Sequence, residues 1–231
     1  MLPPKPVSRA ATWMVATSLL VLSPALAGQK PKEWTPGIDP ALFAGGADNP
    51  YFPLGPRSLY YRGATAGGIE TLRIDVTTQT KTILGITTTV VIETAALNGQ
   101  TIEIAENWFA PDRDGNVWYF GEFTRDVQSG TAGSWEAGVN EARPGIIMKA
   151  HPTPGDTYFQ EFAPGVAQDM ASVISNNKTA TVLGRNVGNV LLTKEWTALE
   201  PSSVEHKTYA PGLGLILEEK GGDRLELIEV R

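Results

Sequence analysis

From Ser58 to the C-terminus, apolar and polar residues alternate in short runs, and each run ends at a turn signal. β-Branched and aromatic residues fill the runs, while Gly, Asn, Asp and Pro fill the breaks, which is the pattern of strands joined by tight turns. The runs predict about ten strands, near 58–64, 69–77, 80–95, 100–110, 116–124, 132–137, 157–163, 169–175 and 179–194, with a final pair at 204–219 and 223–230. No segment sustains a 3.6-residue apolar period. Only 165–172 leaves room for a short helix, and its Pro164-Gly165 start is equally good turn chemistry. Asn98-Gly99 and Gly221-Gly222 suit type I′ hairpin turns, where both central residues need positive φ. Asp114-Gly115 and Asn176-Asn177 mark two further turns. Consecutive hairpins make an antiparallel meander, and a long meander curls into a barrel or an open half-barrel to protect its edges. The expected fold class is therefore all-β, with one curled sheet.

A two-residue turn fixes the register of its hairpin. Around Asn98-Gly99 this pairs Leu97 with Gln100, Ala95 with Ile102, Glu93 with Ile104 and Val91 with Glu106. One face then carries Val91, Glu93, Ala95, Ile102, Ile104, Glu106 and Trp108. The other carries Val90, Ile92, Thr94, Glu103, Ala105, Asn107 and Phe109. Neither face is clean, whereas a sheet with one dry and one wet side alternates sharply. Mixed faces point to a concavity in which carboxylates stand among aromatics. Alternation in the next strand places Trp118, Phe120 and Glu122 on one face, expected to line that concavity, with Tyr119 behind. Glu70 shares a face with Leu72, Ile74 and Val76; it either reaches water at the strand end or is a cavity-lining acid.

The N-terminal end is different. Lys5 and Arg9 precede the apolar run "AATWMVATSLLVL" and the small-residue site "ALA" at 25–27, which together read as a secretory signal peptide cleaved after Ala27. Six prolines between 28 and 56 predict an extended lead-in, with "NPYFPLGP" docking Tyr51 and Phe52 onto the domain edge. The expected organisation is a signal peptide over 1–27, a lead-in over 28–56 and one β domain over 57–231, periplasmic or secreted, with no transmembrane segment after signal removal. The chain has no cysteine and a net charge of −6, more acidic once the basic leader is gone. These features exclude thiolate chemistry and disulfides, and argue against nucleic acid as a partner. With two histidines, a multi-His metal site is not expected.

Three constellations carry candidate chemistry. Asp112, Asp114 and Asn116 alternate as in a calcium loop, but Gly115 and Phe123 stand at the wrong positions for that loop, so a hairpin turn is the better reading. Trp108, Trp118, Tyr119, Trp135 and Tyr158, with Glu122 and Glu136, compose a ligand platform or an ordinary aromatic core. Glu103, Glu122 and Glu161 are candidate acid–base groups, with His206 as partner across strands. His151, before a proline, has no assigned role. No nucleophile elbow, phosphate loop or zinc-helix motif occurs.

The ordered motifs "NPYFPL", "GNVWYFGE", "GSWEAGV" with "PGIIM", "TYFQEF", and "EW" before "EHKTYAPGLGLI" resemble a set of exported bacterial β-rich proteins of uncharacterised function, over most of residues 49–219. The "YAPGLGLI" hairpin is similar to that of periplasmic lipoproteins with half-barrel folds related to lipoprotein carriers. The resemblance implies a curved sheet around a ligand-accessible concavity and brings no activity with it. Members commonly have aspartate where this chain has Asn107 and glutamine where it has Pro111, which puts an acid–base role at that point in doubt. The leading expectation is a cofactor-free binding protein for a partly apolar small molecule or glycan. The alternatives are a hydrolase, lyase or isomerase using Glu and His, and a protein whose sheet edge takes a partner strand.

Overall fold

The computed structural model describes residues 34–231. The leader and the first residues of the lead-in lie outside the described residues. Fourteen strands follow a 3₁₀ turn at Pro40–Phe43. They are β1 Arg57–Thr65, β2 Gly68–Ile83, β3 Ile86–Leu97, β4 Gln100–Pro111, β5 Val117–Asp126, β6 Trp135–Glu136, β7 Arg143–Met148, β8 Thr157–Phe159, β9 Glu161–Phe162, β10 Asp169–Val182, β11 Arg185–Thr197, β12 Val204–Ala210, β13 Gly214–Lys220 and β14 Asp223–Val230. All pairings are antiparallel, and no α-helix occurs among the described residues.

Neighbouring strands pair in the order β8-β10-β11-β12-β13-β14-β1-β2-β3-β4-β5-β7-β9, with β6 on β5. β14 beside β1 pairs the last strand with the first. The segment 157–162 joins the two ends of the sheet: β8 pairs with β10 and β9 pairs with β7. Gln160 stands between them and donates its backbone N–H to Asp169 O at 2.8 Å. Gly145 permits this crossing, because a Cβ there would lie 2.3 Å from the Gln160 backbone. The sheet is thus a barrel closed at a narrow seam, and the long uncovered edge required for a partner strand is reduced to short stretches.

Among the described residues, four two-residue turns that join paired strands have both central residues at positive φ: Asn98-Gly99, Gly221-Gly222, Leu84-Gly85 and Leu183-Gly184. The last two replace expected strand and turn positions. Residues 80–95 are not one strand, because the chain reverses at Leu84-Gly85. Asn176-Asn177 is not a turn; it lies within β10, where the pairing with β11 shifts register.

Two bulges decide what faces inward. In the β3–β4 hairpin Ala96 pairs with Thr101 but Ala95 pairs with Glu103, so Ile102 is an extra residue. The expected Ala95–Ile102 pairing is therefore displaced by one, and Glu103, Ala105 and Asn107 turn to the face of Val91, Glu93 and Ala95. Between β4 and β5, Asn107 pairs with Glu122 and Phe109 with Tyr119, leaving Phe120 and Gly121 opposite Trp108. Gly121 has φ 133°, and a Cβ there would meet Trp135 O at 2.3 Å. This second bulge breaks the alternation, so Tyr119 and Glu122 both turn inward. Trp118 and Phe120 instead lie under Phe43 at ring separations of 6.1 and 5.5 Å. The expected shared face of Trp118, Phe120 and Glu122 is corrected accordingly.

Candidate functional site

The meander places its turns alternately at two ends of the barrel. Near the turns at 84–85, 112–116, 183–184 and 211–213 the inward residues are apolar, among them Leu59, Val76, Phe109, Leu191 and Leu215. The lead-in closes this end. Asn49, 3% exposed, donates to Gly115 O and Lys149 O and accepts from the Tyr51 and Phe52 N–H groups. Phe52 then packs on Phe109 at 4.9 Å.

Toward the turns at 66–67, 98–99, 127–129 and 221–222 the interior is acidic. Glu70, Glu93, Glu103, Glu122, Glu161, Glu195 and Glu218 are all buried. Glu70 is fully buried with both carboxylate oxygens unpartnered, so the alternative in which it reaches water is corrected. Burial, then repulsion from Asp223 and Glu103, raises its pKa to about 8. Burial raises Glu93 to about 7, and burial with Glu93 nearby raises Glu103 to about 8. A charged group taken from water loses hydration that only a partner can restore, so these acids hold protons near neutrality.

One buried cation enters this half. Lys207 Nζ lies 2.9 Å from Glu195 and 3.4 Å from Glu205. Burial alone would lower its pKa, but Glu195, Glu218 and Glu205 hold it well above the ordinary lysine range. Glu205 is half-buried, and although burial alone would raise it, Lys207 and Lys220 keep it below the usual carboxylate range. Glu218 has both oxygens unpartnered, and burial raises it despite Lys207.

Beside the second bulge the wall opens into a cleft of about 510 Å³. β5 has left β7 there and pairs with the short β6, so the bulge that turns Glu122 inward also creates the gap. Trp108, Glu122, Trp135 and Glu136 line it, with Lys81, Glu106 and Val139. Lys81 Nζ sits 3.3 Å over the Trp108 ring centre and 2.7 Å from Glu136. Glu122 is 2% exposed and its Oε2 has no partner. Burial first, then Glu103 and Glu93, push its pKa well up, with Tyr119 opposing. Trp135 Nε1 donates to Glu161 Oε2 at 2.9 Å, so the ring separates the cleft from a second carboxyl layer. There Glu161 and Asp169 face each other, close enough for one to bond the other once it holds a proton; burial raises both.

The other sequence-predicted residues fall elsewhere. Tyr119 is in the interior, its hydroxyl 2.5 Å from Asn107 Oδ1 and its ring edge-on to Trp135 at 5.3 Å. Tyr158 is buried with an unpartnered hydroxyl. Trp118 lies on the outer face, its Nε1 donating to Asp112 Oδ2 at 2.9 Å. Asp112 also accepts from the Asp114 and Asn116 N–H groups and from Asn116 Nδ2. The Asp112, Asp114 and Asn116 set is thus the internal scaffold of a turn. His206 is exposed, paired across the outer face with Lys194 and Glu219. The wall separates it from Glu103, Glu122 and Glu161, so the expected Glu–His partnership does not assemble. Sequence reasoning missed Lys81, Lys207, Asp169 and Glu218. Lys81 was hidden by the unrecognised turn at Leu84-Gly85; a positive side chain three residues before a hairpin turn was the available signal.

No protein-family model matches this chain, and no curated protein matches it. Two solved structures share its outline. One, from Bacteroides fragilis, is provisionally named an exported protein with a YmcC-like fold; it is 13% identical, with 80% of this chain and 99% of that chain covered and a TM-score of 0.44. The other, from Parabacteroides distasonis, is provisionally named a lipoprotein; it is 9% identical, with 80% and 100% covered and a TM-score of 0.44. At this level the likeness says nothing of what this chain binds.

Proposed function

We propose that the protein is an exported binding protein whose cleft between β4, β5 and β6 takes a small, partly apolar molecule. Export is the reading of the leader pattern. The observation that supports the cleft is the convergence of two tryptophans and two glutamates, from the three consecutive strands β4, β5 and β6, on one concavity of ligand size. The aromatic rings supply contact area, and Glu122 and Glu136 orient polar groups. The test is native mass spectrometry of protein purified from its own exported compartment. A co-purifying small molecule is expected on the wild type and not on Val139→Trp, which fills the cleft from a residue 50% exposed. An adduct that survives this substitution, or no adduct at any preparation, would sink the cleft as the binding site.

A second reading, a cofactor-free acid–base enzyme, draws on the Glu161–Asp169 pair behind Trp135. There Glu122 reaches the cleft while Glu161 tunes it, and no histidine takes part. Turnover of any substrate that falls with Glu122→Gln more than binding does would favour it.

A further inference from the structure

The cleft carries information about the charge of what it receives, and this inference rests on the cleft reading above. Its lining has three glutamates and one cation. That cation, Lys81, is already seated as a ligand cation would be, with its Nζ over the Trp108 face and against Glu136. An ammonium is attracted by the negative face of an indole and by a carboxylate at once. The remaining acceptor in the lining is Glu122 Oε2, unpartnered on a side chain 2% exposed. Trp135 Nε1 is taken by Glu161 and Lys81 Nζ by Glu136, and the Tyr119 hydroxyl interacts with the same carboxyl without giving Oε2 a partner. A buried acceptor without a donor leaves a desolvation cost that only an incoming donor removes.

We propose that the ligand bears a primary ammonium group on an apolar or saccharide ring, with Glu122 receiving the ammonium and the Trp108–Trp135 side of the cleft receiving the ring. A neutral hydroxyl would give Glu122 one donor; an ammonium gives three donors and the compensating charge. Lys81 then either shares the Trp108 face or yields it. Glu122 is surrounded by Glu103 of β4, Glu93 of β3, Glu161 of β9, Asp169 of β10 and the Tyr119 hydroxyl of β5, and with no cation bound it holds its proton. An arriving ammonium favours the carboxylate form, so binding releases a proton.

Isothermal calorimetry near neutral pH tests this with two matched pairs, 2-phenylethylamine against 2-phenylethanol and glucosamine against glucose. Running each in phosphate and in Tris reports proton release through the buffers' different ionisation heats. The expected result is that one amine binds at least about tenfold more tightly than its hydroxyl partner, a preference worth one charge-assisted contact. That preference is expected to vanish in Glu122→Gln, and the wild type is expected to release a proton that the variant does not. Which pair shows it distinguishes an aryl amine from an amino sugar. Equal affinity within both pairs overturns the ammonium assignment, as does no binding by either amine. A preference that persists in Glu122→Gln overturns it too. Equal affinities abolished by Val139→Trp would overturn the ammonium alone and leave the binding cleft standing.

Discussion

The two halves of this barrel are made by the same strands and solve opposite problems. In the half closed by the lead-in, Leu59, Val76, Phe109 and Leu191 face inward and no carboxylate interrupts them. There burial of apolar area does the stabilising, at roughly 25 cal/mol per Å². A few residues along the same strands, Glu70, Glu93, Glu103, Glu195 and Glu218 replace them, with Lys207 as a central cation. Burying unpaired acids opposes folding, so the second half is held by protons and by one lysine. The first half therefore acts as a scaffold indifferent to pH. The second is a reservoir of titratable groups beside a cleft, which is where a functional site is expected.

The largest effect should come from the apolar half. Phe109 is 1% exposed, stacked on Tyr119 at 4.7 Å and against Phe52. Phe109→Ala is expected to cost about 3–5 kcal/mol in chemical denaturation, equally at pH 5 and 8. A strong pH dependence of that loss would show that the two halves are not energetically separate.

Lys207→Met tests the other half. It leaves Glu195 and Glu218 without their cation and Glu205 with Lys220 alone, and breaking such a group costs about 3 kcal/mol or more. The loss is expected to be smaller at pH 5, where protons replace the lysine. Equal losses at both pH values would mean that the interior acids do not take up protons.

The wild type itself should become less stable as pH rises. Glu70, Glu93 and Glu103 have folded pKa values raised to about 8, 7 and 8 from an ordinary 4.5. Between these limits the folded chain binds more protons than the unfolded one, so their stabilisation is complete below pH 4.5 and lost as pH climbs through 8. Glu205 acts in the opposite direction, and its contribution is lost only as pH falls below the ordinary carboxylate range. The melting temperature is thus expected to fall by several degrees from pH 5 to pH 8.5. Glu103→Gln should recover about 1–2 kcal/mol at the upper pH and little at the lower. A melting temperature that rises over this window would refute the proton-held interior.

What could be read from the sequence divides along similar lines. The all-β meander was legible because alternation and turn chemistry are local. The carboxylates of β3 and β4 stood out in the sequence, but the expected register split Glu93 and Glu103 between two faces, whereas they share the inner one. Which carboxylates meet was not legible, because it hangs on two bulges, at Ile102 and at Phe120-Gly121. Each shifts a strand by one residue and exchanges its faces. Gly121 was the available mark, since an isolated glycine inside a strand pattern often signals a bulge or a close backbone approach. Trp108 and Trp135 were found on composition, but their meeting with Lys81 depended on a turn that strand propensity concealed. His206 was drawn into the site by residue type alone, and the wall's pleat excludes it.

That concealed turn class gives the smallest prediction. Asn98-Gly99, at the acidic end, and Leu183-Gly184, at the apolar end, adopt the same left-handed pair of conformations: φ is 52° and 81° in the first, 50° and 74° in the second. Asparagine enters this region readily, whereas a leucine there is strained by its Cβ, at a cost of roughly 1–2 kcal/mol. Leu183 is 43% exposed, so its side chain recovers part of that cost by partial burial. Leu183→Asn is then expected to stabilise the protein by about 0.5 kcal/mol, because relief of the backbone strain outweighs the apolar burial that the leucine side chain supplies. Gly99→Val, at the second position of the other turn, is expected to destabilise by about 1 kcal/mol or more, because a β-branched residue resists positive φ. Urea midpoints of the two variants, with unchanged denaturant slopes, measure both. If Leu183→Asn lowers the midpoint, the leucine is retained at this end for packing that outweighs its strain. The apolar half would then extend to the tip of the β10–β11 hairpin instead of stopping at Val182.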